Sequence, residues 1–172
     1  EGGMALTNDN EIAEKIFRLR THGITNNKKK MIDRDKDEIW NYQQIDLGFN
    51  YRMNDIQAAL GINQLKRLDH YVDLRHQIAK NYEVKLKNLQ LITPWQSRDT
   101  YSSYHLYPIL INLKNDNKNQ IQIYNELRTN GIAANLHYIP VHRHPYYENL
   151  GFKKGDFPRA EKFHKEVISM PI

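Results

Sequence analysis

Apolar residues recur at steps of three and four along two stretches of the chain, which is the spacing of one face of an α-helix. The first stretch runs from Ile12 to Leu19. Asn8 precedes it and Glu11 lies at capping-box spacing from Asn8, so this pair predicts the start of a helix. Gly23 is predicted to end the helix as its C′ residue, because glycine readily takes the left-handed conformation found there.

The second stretch is much longer and predicts one continuous helix from Asn54 to Asn88. Its apolar positions between Ile56 and Leu86 keep to steps of three, four or their sums, and charged residues fill the other face. Asn54 is a good N-cap, with Gln57 at capping-box spacing. A helix of this length is able to join two lobes of a protein.

Short β-rich runs bounded by turn residues predict three strands, at residues 2–7, 104–113 and 132–138. Two further helices are predicted: one with the N-cap Asn117 and Gln120 that reaches Asn130 and is ended by Gly131, and one with Pro158 near its start that carries Phe163 and Val167. Strands and helices thus alternate after the long helix, which predicts an α/β lobe.

The composition limits the classes of protein to consider. The chain has 172 residues, enough for one domain with a real core, and it contains no cysteine. A disulfide framework, a thiolate metal site and a cysteine nucleophile are therefore excluded. The sequence shows no secretory leader and no apolar run of membrane-spanning length, so the expected location is the cytoplasm. The opening residues EGGM read like the interior of a longer protein, and we expect a fragment.

The charge is mildly basic, with 25 Lys and Arg against 20 Asp and Glu and a net charge of +5. Lys28–Lys30 lie in a polar segment, residues 24–45, for which a solvated loop is favoured over a binding patch. A basic nucleic-acid-binding module is an alternative function, but no aromatic and basic platform accompanies the charge. The sequence also lacks Walker, dinucleotide-binding and nucleophile-elbow motifs.

A polar cluster, Asn50, Tyr51 and Arg52, lies immediately before the predicted start of the long helix. Free backbone N–H groups and the positive end of the helix dipole gather at such a start, which makes it a candidate anion site. A solvated loop explains the same residues, because capped helix starts are common. The residues alone favour the solvated loop and leave both interpretations open.

Three histidines and three tyrosines occur within residues 137–147, the segment HYIPVHRHPYY. A zinc site is disfavoured, because His142 and His144 alternate as in a strand and no acidic ligand lies in the segment. Pro140 and Pro145 are also expected to break any helix. A ligand-facing loop after a strand is favoured, since such loops carry the sites of α/β folds. Surface aromatic residues that only pack on the lobe are the alternative.

Two motifs stand out in these segments: G-x-N-x-R at Gly48, Asn50 and Arg52, and H-Y-x-P at His137, Tyr138 and Pro140. Further segments, in chain order, are EGGMALTND, RTHG, the helix ending in NGI, and FPRAEKF. Together they resemble the DegT/StrS family of pyridoxal-phosphate-dependent nucleotide-sugar aminotransferases. The resemblance covers essentially the whole chain.

The resemblance implies an α/β fold, the C-terminal part of the PLP-dependent transferase fold (fold type I). Residues 1–63 would be the end of the large PLP-binding domain, and residues 64–172 the small C-terminal α/β domain. The implied cofactor is pyridoxal 5′-phosphate, and the implied assembly is a homodimer with shared active sites and no nucleic-acid or membrane partner. The reaction would move an amino group from glutamate to the keto group of a 4-keto-6-deoxy nucleotide sugar.

The resemblance also implies roles for individual residues. Asn50 would reach across the dimer interface to the cofactor phosphate in the other subunit's site, and Arg52 would support the same charge or hold the loop. The nucleotide-sugar pocket would be lined by His137 and Tyr138 and shaped by Ile139 and Pro140.

The family's Schiff-base lysine precedes the Glu-Gly-Gly strand, so it is expected to lie upstream of Glu1. No catalytic residue is therefore expected within the chain, which alone should be inactive. No metal ligand is expected either, because the histidine segment does not favour a metal site. A non-catalytic scaffold that kept the dimer surface is the alternative.

Overall fold

A computed structural model describes residues 3–33, 40–112 and 118–172 of the chain. The chain divides into two compact units, Glu1–Lys66 and Arg67–Ile172, called here the N-terminal unit and the C-terminal unit. Their assignment to a large and a small domain, with a division between residues 63 and 64, stays a prediction. None of the helices in the described ranges is long and apolar enough to cross a membrane.

The N-terminal unit contains helices α1 and α2 and a two-stranded antiparallel sheet: α1 Asn10–Leu19, β1 Ile24–Thr25, β2 Gln43–Gln44 and α2 Asp55–Leu65. A 3₁₀ turn at Lys28–Lys30 follows β1, and Lys30 pairs with Glu14 of α1. The predicted strand at residues 2–7 is wrong for residues 3–7, which have no regular structure. No strand within the described ranges pairs with them, and an extended segment without a partner has no ladder of hydrogen bonds.

Helix α1 differs from its prediction at both ends. Its N-cap is Asp9, not Asn8, and the Asp9 carboxylate accepts the backbone N–H of Glu11 at 2.8 Å. A carboxylate at this position satisfies free N–H groups and also complements the positive end of the helix dipole. The helix stops at Leu19, so Gly23 lies beyond the C′ position, in a left-handed turn with φ of +71°.

The prediction of one helix from Asn54 to Asn88 is wrong. The chain forms α2 and then α3 (Leu68–Leu86), with an interruption at Lys66 and Arg67. Arg67 has φ of −107° and ψ of −1°, away from the regular helical values of about −63° and −42°. Lysine and arginine are good helix formers, so helix propensity gives no sign of this break. The break coincides with the boundary between the two compact units.

The C-terminal unit is built on a three-stranded antiparallel sheet in the order β3-β4-β5: Leu91–Ile92, Tyr107–Ile111 and Val167–Met170. Between β4 and β5 the described residues form the α-helices α4 Gln120–Thr129, α5 Pro145–Glu148 and α6 Pro158–Glu166. The histidine- and tyrosine-rich segment 137–147 lies between α4 and α6 in the chain.

The core of this unit follows the two-residue repeat of β4. Its alternate side chains Tyr107, Ile109 and Ile111 are buried and pack with Ala79 of α3 and Ile168 of β5. Burial of each large apolar side chain contributes about 1.5–3 kcal/mol, so this face of the sheet anchors the unit. Burial also raises the pKa of the Tyr107 phenol to about 12.

Helix α4 confirms the prediction at its end and corrects it at its start. Gly131 follows the C-cap Asn130 with φ of +80°, as expected. The N-cap is Asn119, whose capping box is completed by Gln122. The predicted N-cap Asn117 lies outside the described residues. Asparagine recurs at alternate positions here, so several candidate caps compete and the pattern alone does not select one.

Two predictions around β5 are also wrong. Residues 132–138 form no strand and make only a single bridge, Asn135 with Ser169. The Asn135 side-chain oxygen accepts the N–H of Leu136 at 2.8 Å, a local bond that competes with a strand ladder. Val167 begins β5 rather than continuing α6, because its strand pairing with Leu110 replaces the helical bonds.

Candidate functional site

Two glycines bring the turn after α1 against the segment that precedes α2. A Cβ built on Gly23 would lie 1.8 Å from the carbonyl oxygen of Asp46. A Cβ on Gly48 would lie 2.2 Å from the backbone nitrogen of Gly23 and 2.6 Å from the carbonyl oxygen of Leu19. Only a residue without a side chain allows this approach. The glycine of the G-x-N-x-R motif is thus required by packing.

Backbone hydrogen bonds hold the residues that follow Gly48. The N–H of His22 donates to the carbonyl of Phe49 at 2.9 Å, and the N–H of Phe49 donates to that of Leu19 at 2.7 Å. The N–H of Tyr51 donates to the carbonyl of Arg20 at 3.0 Å. The backbone of Asn50 is therefore held by hydrogen bonds on both sides.

An ion pair that the sequence did not reveal supports the same segment. Arg18 of α1 donates through Nε to the carboxylate of Asp46, and both side chains are partly buried. The pair lies just ahead of the motif and joins residues from separate parts of the chain. No periodicity or motif connects such residues, so the sequence carried no signal for it.

Asn50 and Arg52 form a small donor group on this fixed segment. Arg52 Nε donates to Asn50 Oδ1 at 2.7 Å, and both residues are exposed. Within the described ranges Asn50 Nδ2 has no acceptor, so this amide N–H₂ and the outer guanidinium N–H groups remain available. Charged and neutral N–H donors of this kind fit a phosphate group.

The N-terminal start of helix α2 contributes less to anion binding than its position suggested, because its capping box uses backbone donors. Asn54 Oδ1 accepts the N–H of Gln57 at 2.9 Å, and Gln57 Oε1 accepts the N–H of Asn54 at 3.2 Å. This capping box uses two backbone donors internally. The side chains of Asn50 and Arg52 add donors beside the N–H groups that remain at this helix start.

In the second segment, His137 is fixed by hydrogen bonds at both ring nitrogens. Nδ1 lies 2.8 Å from Ser169 Oγ, and Nε2 lies 3.2 Å from Asn135 Nδ2. Because Asn135 Oδ1 accepts the N–H of Leu136, its Nδ2 is the donor and Nε2 accepts. In the neutral form of this ring the proton is then on Nδ1, which donates to Ser169 Oγ.

The three residues after His137 are less constrained. The Tyr138 side chain is 71% exposed and meets the His137 ring edge to face, with 4.5 Å between the centroids. Ile139 is 53% exposed, and Pro140 precedes a 3₁₀ turn at Val141–Arg143. The four residues predicted to form the nucleotide-sugar pocket thus make one continuous stretch with one fixed end and an exposed aromatic ring.

His142 has a structural role that the sequence did not indicate. It is 7% exposed, its Nε2 lies 2.9 Å from Glu161 Oε1, and its ring packs on Phe157. The same carboxylate oxygen accepts the N–H of Gly155 at 2.6 Å. The bond from His142 and then that from Gly155 hold the pKa of Glu161 below its usual value. His142 therefore ties the 3₁₀ turn to α6.

The prolines of this segment do not prevent helix formation as expected. Val141–Arg143 form a 3₁₀ turn, and Pro145 is the first residue of α5. Proline is compatible with that position because the first helical N–H has no partner within the helix. Among the described residues, no group of three or more His, Asp or Glu side chains is placed to hold a metal ion.

Known proteins resemble the chain in both sequence and fold. A transaminase of Campylobacter jejuni, UDP-4-amino-4,6-dideoxy-N-acetyl-beta-L-altrosamine transaminase, is 33% identical over 172 residues, which is 99% of this chain and 43% of its own. The structure of Helicobacter pylori PseC, an aminotransferase of pseudaminic acid biosynthesis, has a TM-score of 0.77 at 32% identity and is matched over 96% of this chain and 42% of its own.

The PLP form of Spr1654 from Streptococcus pneumoniae has a TM-score of 0.79 at 26% identity, over 98% of this chain and 40% of its own. The chain thus spans less than half the length of the proteins that it matches. These likenesses confirm the predicted fold, a mixed α/β part of the PLP-dependent transferase fold. A profile of the DegT/DnrJ/EryC1/StrS aminotransferase family matches residues 1–172. The chain therefore belongs to the DegT/DnrJ/EryC1/StrS aminotransferase family.

Proposed function

We propose that the full protein is a PLP-dependent aminotransferase that moves an amino group from glutamate to a 4-keto-6-deoxy UDP-linked N-acetylhexosamine. Addition of an amino group to the 4-keto carbon of such a sugar gives a 4-amino-4,6-dideoxy sugar, the kind named in the Campylobacter jejuni relative. The product would serve surface polysaccharide or flagellin-glycan synthesis in the cytoplasm. Of the related enzymes, the 4-aminotransferase of pseudaminic acid synthesis supports this proposal best.

The observation that carries the proposal is the donor group of Asn50 and Arg52. Its position is fixed by the Gly23 and Gly48 contact, and its N–H groups suit a phosphate. In the proposed homodimer, Asn50 Nδ2 donates to the cofactor phosphate in the site of the other subunit. The bond from Arg52 Nε to Asn50 Oδ1 supports a holding role for Arg52, because it orients the amide so that Nδ2 faces away from Arg52.

Pyridoxal 5′-phosphate, when bound, supplies the electron sink that amino transfer requires. The residues in this chain position the reactants. Asn50, oriented by Arg52, would bind the phosphate end of the cofactor, and the stretch from His137 to Pro140 would line the nucleotide-sugar pocket. His137 is held by Ser169, and the exposed Tyr138 ring offers a flat surface against a sugar or base.

The family lysine belongs to a segment before the Glu-Gly-Gly strand, so the proposed activity needs that segment. We expect the 172-residue chain to be inactive by itself for this reason. Glutamate and the keto sugar would react in turn at one site, with 2-oxoglutarate released between them.

The test is an amino-transfer assay on the full-length protein loaded with cofactor. Glutamate and a 4-keto-6-deoxy UDP-N-acetylhexosamine should give 2-oxoglutarate and the 4-amino sugar in equal amounts, and the same reaction should be far slower with a GDP-linked 4-keto sugar.

Asn50→Ala should weaken cofactor binding by about 1.5–3 kcal/mol, because a charge-assisted contact is lost. Helix content should not change, since Asn54 caps α2.

Failure of amino transfer with both sugars would reject the enzyme assignment. A clear preference for the GDP-linked sugar would reject the proposed substrate. Unchanged cofactor affinity in Asn50→Ala would reject the role of Asn50.

A further inference from the structure

A cavity of about 330 Å³ opens beside the end of the His137–Pro140 stretch. Its wall is formed by residues of the C-terminal unit only: Ile139, Pro140, Arg143, Lys154, Glu161, His164 and Lys165. The volume lies at the lower end of the range of about 300–1,000 Å³ that is usual for small-molecule sites. Two apolar residues and several charged ones share this wall, as in a site that orients a polar ligand.

The charges around the cavity favour an anion. Three of its side chains are cations and one is a carboxylate. That carboxylate, Glu161, already accepts hydrogen bonds from His142 and Gly155. Arg143 pairs with Glu148 at 2.9 Å, and this pair is partly exposed. Lys154 and Lys165 have no acidic partner among the residues that the structure describes, so their charges are not neutralised locally.

His164, another residue of the wall, has a ring nitrogen without a partner. Its Nδ1 atom is buried and has no hydrogen-bond partner in the described part of the chain. A buried polar atom without a partner carries a desolvation cost, so such atoms are uncommon in folded proteins. Because less than 1 Å² of this atom is accessible, a ligand can bond to it only after the His164 ring turns toward the cavity, so the lysine charges carry the argument for an anion.

We propose that this cavity binds a phosphate-bearing anion, with Lys154 and Lys165 as the main charges and Arg143 beside them. Ile139 and Pro140 belong both to this wall and to the proposed nucleotide-sugar pocket. The ligand that follows is the diphosphate of the nucleotide sugar, and this identification rests on the proposed function. Binding of a phosphate group does not depend on it, since free inorganic phosphate or pyrophosphate has the same chemistry.

Two double variants of equal charge separate the cavity from general electrostatics. Lys154→Gln with Lys165→Gln removes the cavity charges. Lys153→Gln with Lys162→Gln is the matched control. Lys153 is adjacent to Lys154 in the sequence, and Lys162 lies on α6 together with Lys165. Neither control lysine belongs to the cavity wall. Circular dichroism should show that both variants keep the wild-type helix content.

Titration calorimetry with UDP, pyrophosphate and inorganic phosphate is carried out at low salt on the full-length protein. We expect UDP and pyrophosphate to compete for one site, with the dissociation constants of both raised about tenfold or more in the cavity variant and changed less than twofold in the control. If pyrophosphate binds and UDP does not, free phosphate is the source of the ligand and the anion site stands. Absence of binding by all three probes, or equal weakening in both variants, would overturn the proposal.

Failure of this proposal and failure of the proposed function are distinguishable in the full-length protein. If the enzyme is active and the cavity variant leaves KM for the nucleotide sugar unchanged, the diphosphate assignment is wrong while the aminotransferase assignment stands. If lysine-dependent anion binding is found without any amino transfer, the aminotransferase assignment and the diphosphate assignment both fail, while the anion site itself stands.

Discussion

Glu161 accepts two hydrogen bonds through one oxygen, from His142 Nε2 and from the N–H of Gly155. Both bonds favour the ionised carboxylate. The bond from His142 and then that from Gly155 hold the pKa of Glu161 below its ordinary value. An acid whose pKa is lower in the folded state than in the unfolded state stabilises the fold above the unfolded pKa. This stabilisation is lost as the pH falls through the folded value.

Glu161→Gln is therefore expected to lower the free energy of unfolding at pH 7, and the difference from wild type should shrink below about pH 4.5. The check is urea unfolding of both proteins at several pH values between 7 and 3. Glu148→Gln is the control, since its partner Arg143 is partly exposed and such pairs contribute little. A Glu161→Gln effect that is the same at every pH would contradict the proposed charge dependence.

The chemistry of individual candidate residues was visible in the sequence, but their partners were not. The G-x-N-x-R and H-Y-x-P motifs select Asn50, Arg52 and His137 by residue type alone. The hydrogen bond between His137 and Ser169 joins the segment 137–147 to β5. The bond between His142 and Glu161 joins the same segment to α6. Such contacts depend on the path of the chain in space, for which local spacing contains no signal.

At the scale of elements, the contact between the turn after α1 and the segment before α2 has no room for a side chain. Gly48→Ala is expected to destabilise the N-terminal unit by about 3 kcal/mol, because its Cβ would overlap the backbone of Gly23. Gly61→Ala is the matched control, since no atom lies within 4 Å of the added Cβ in α2. Alanine there should stabilise by about 0.5–1 kcal/mol.

Denaturant unfolding of the two alanine variants measures this contrast directly. Equal effects of the two substitutions, or a harmless alanine at position 48, would contradict the close approach of the two backbones.

Elements were predictable where one local pattern dominates. The β-rich run around β4 predicted that strand, although residues 104–106 lie outside it, and Gly131 marked the end of α4 correctly. The break between α2 and α3 was missed because it falls at Lys66 and Arg67, which favour helix. Residues 132–138 look like a strand in composition, but a side-chain bond from Asn135 competes with the ladder. The bond from Asn135 overrides strand propensity in residues 132–138, whereas nothing in the described residues explains the break at Lys66 and Arg67.

At the scale of the whole molecule, the two groups of candidate residues lie in different compact units. Asn50 and Arg52 belong to the N-terminal unit, and residues 137–140 belong to the C-terminal unit. If Asn50 serves the cofactor of the other subunit, a site needs residues from two chains. This requirement can be tested by mixing two inactive variants of the full-length enzyme.

One variant lacks the cofactor lysine and the other carries Asn50→Ala. In a heterodimer with delivery across the interface, one site carries both changes and the other carries neither. Activity should then return to about a quarter of wild type per total subunit when equal amounts exchange freely and pair at random. Native mass spectrometry checks that exchange has taken place. Full exchange without recovered activity would show that Asn50 serves its own subunit.

The hydrogen bonds of His137 restrict how this side chain can contact a ligand. In the neutral ring, Nδ1–H donates a hydrogen bond to Ser169 Oγ, and the lone pair on Nε2 accepts one from the amide of Asn135. In this state the imidazole has neither a free proton to give nor a free lone pair to receive one. His137 would thus act on a sugar through the shape of its ring, as a wall and not as an acid or base, unless one of these two bonds is first broken.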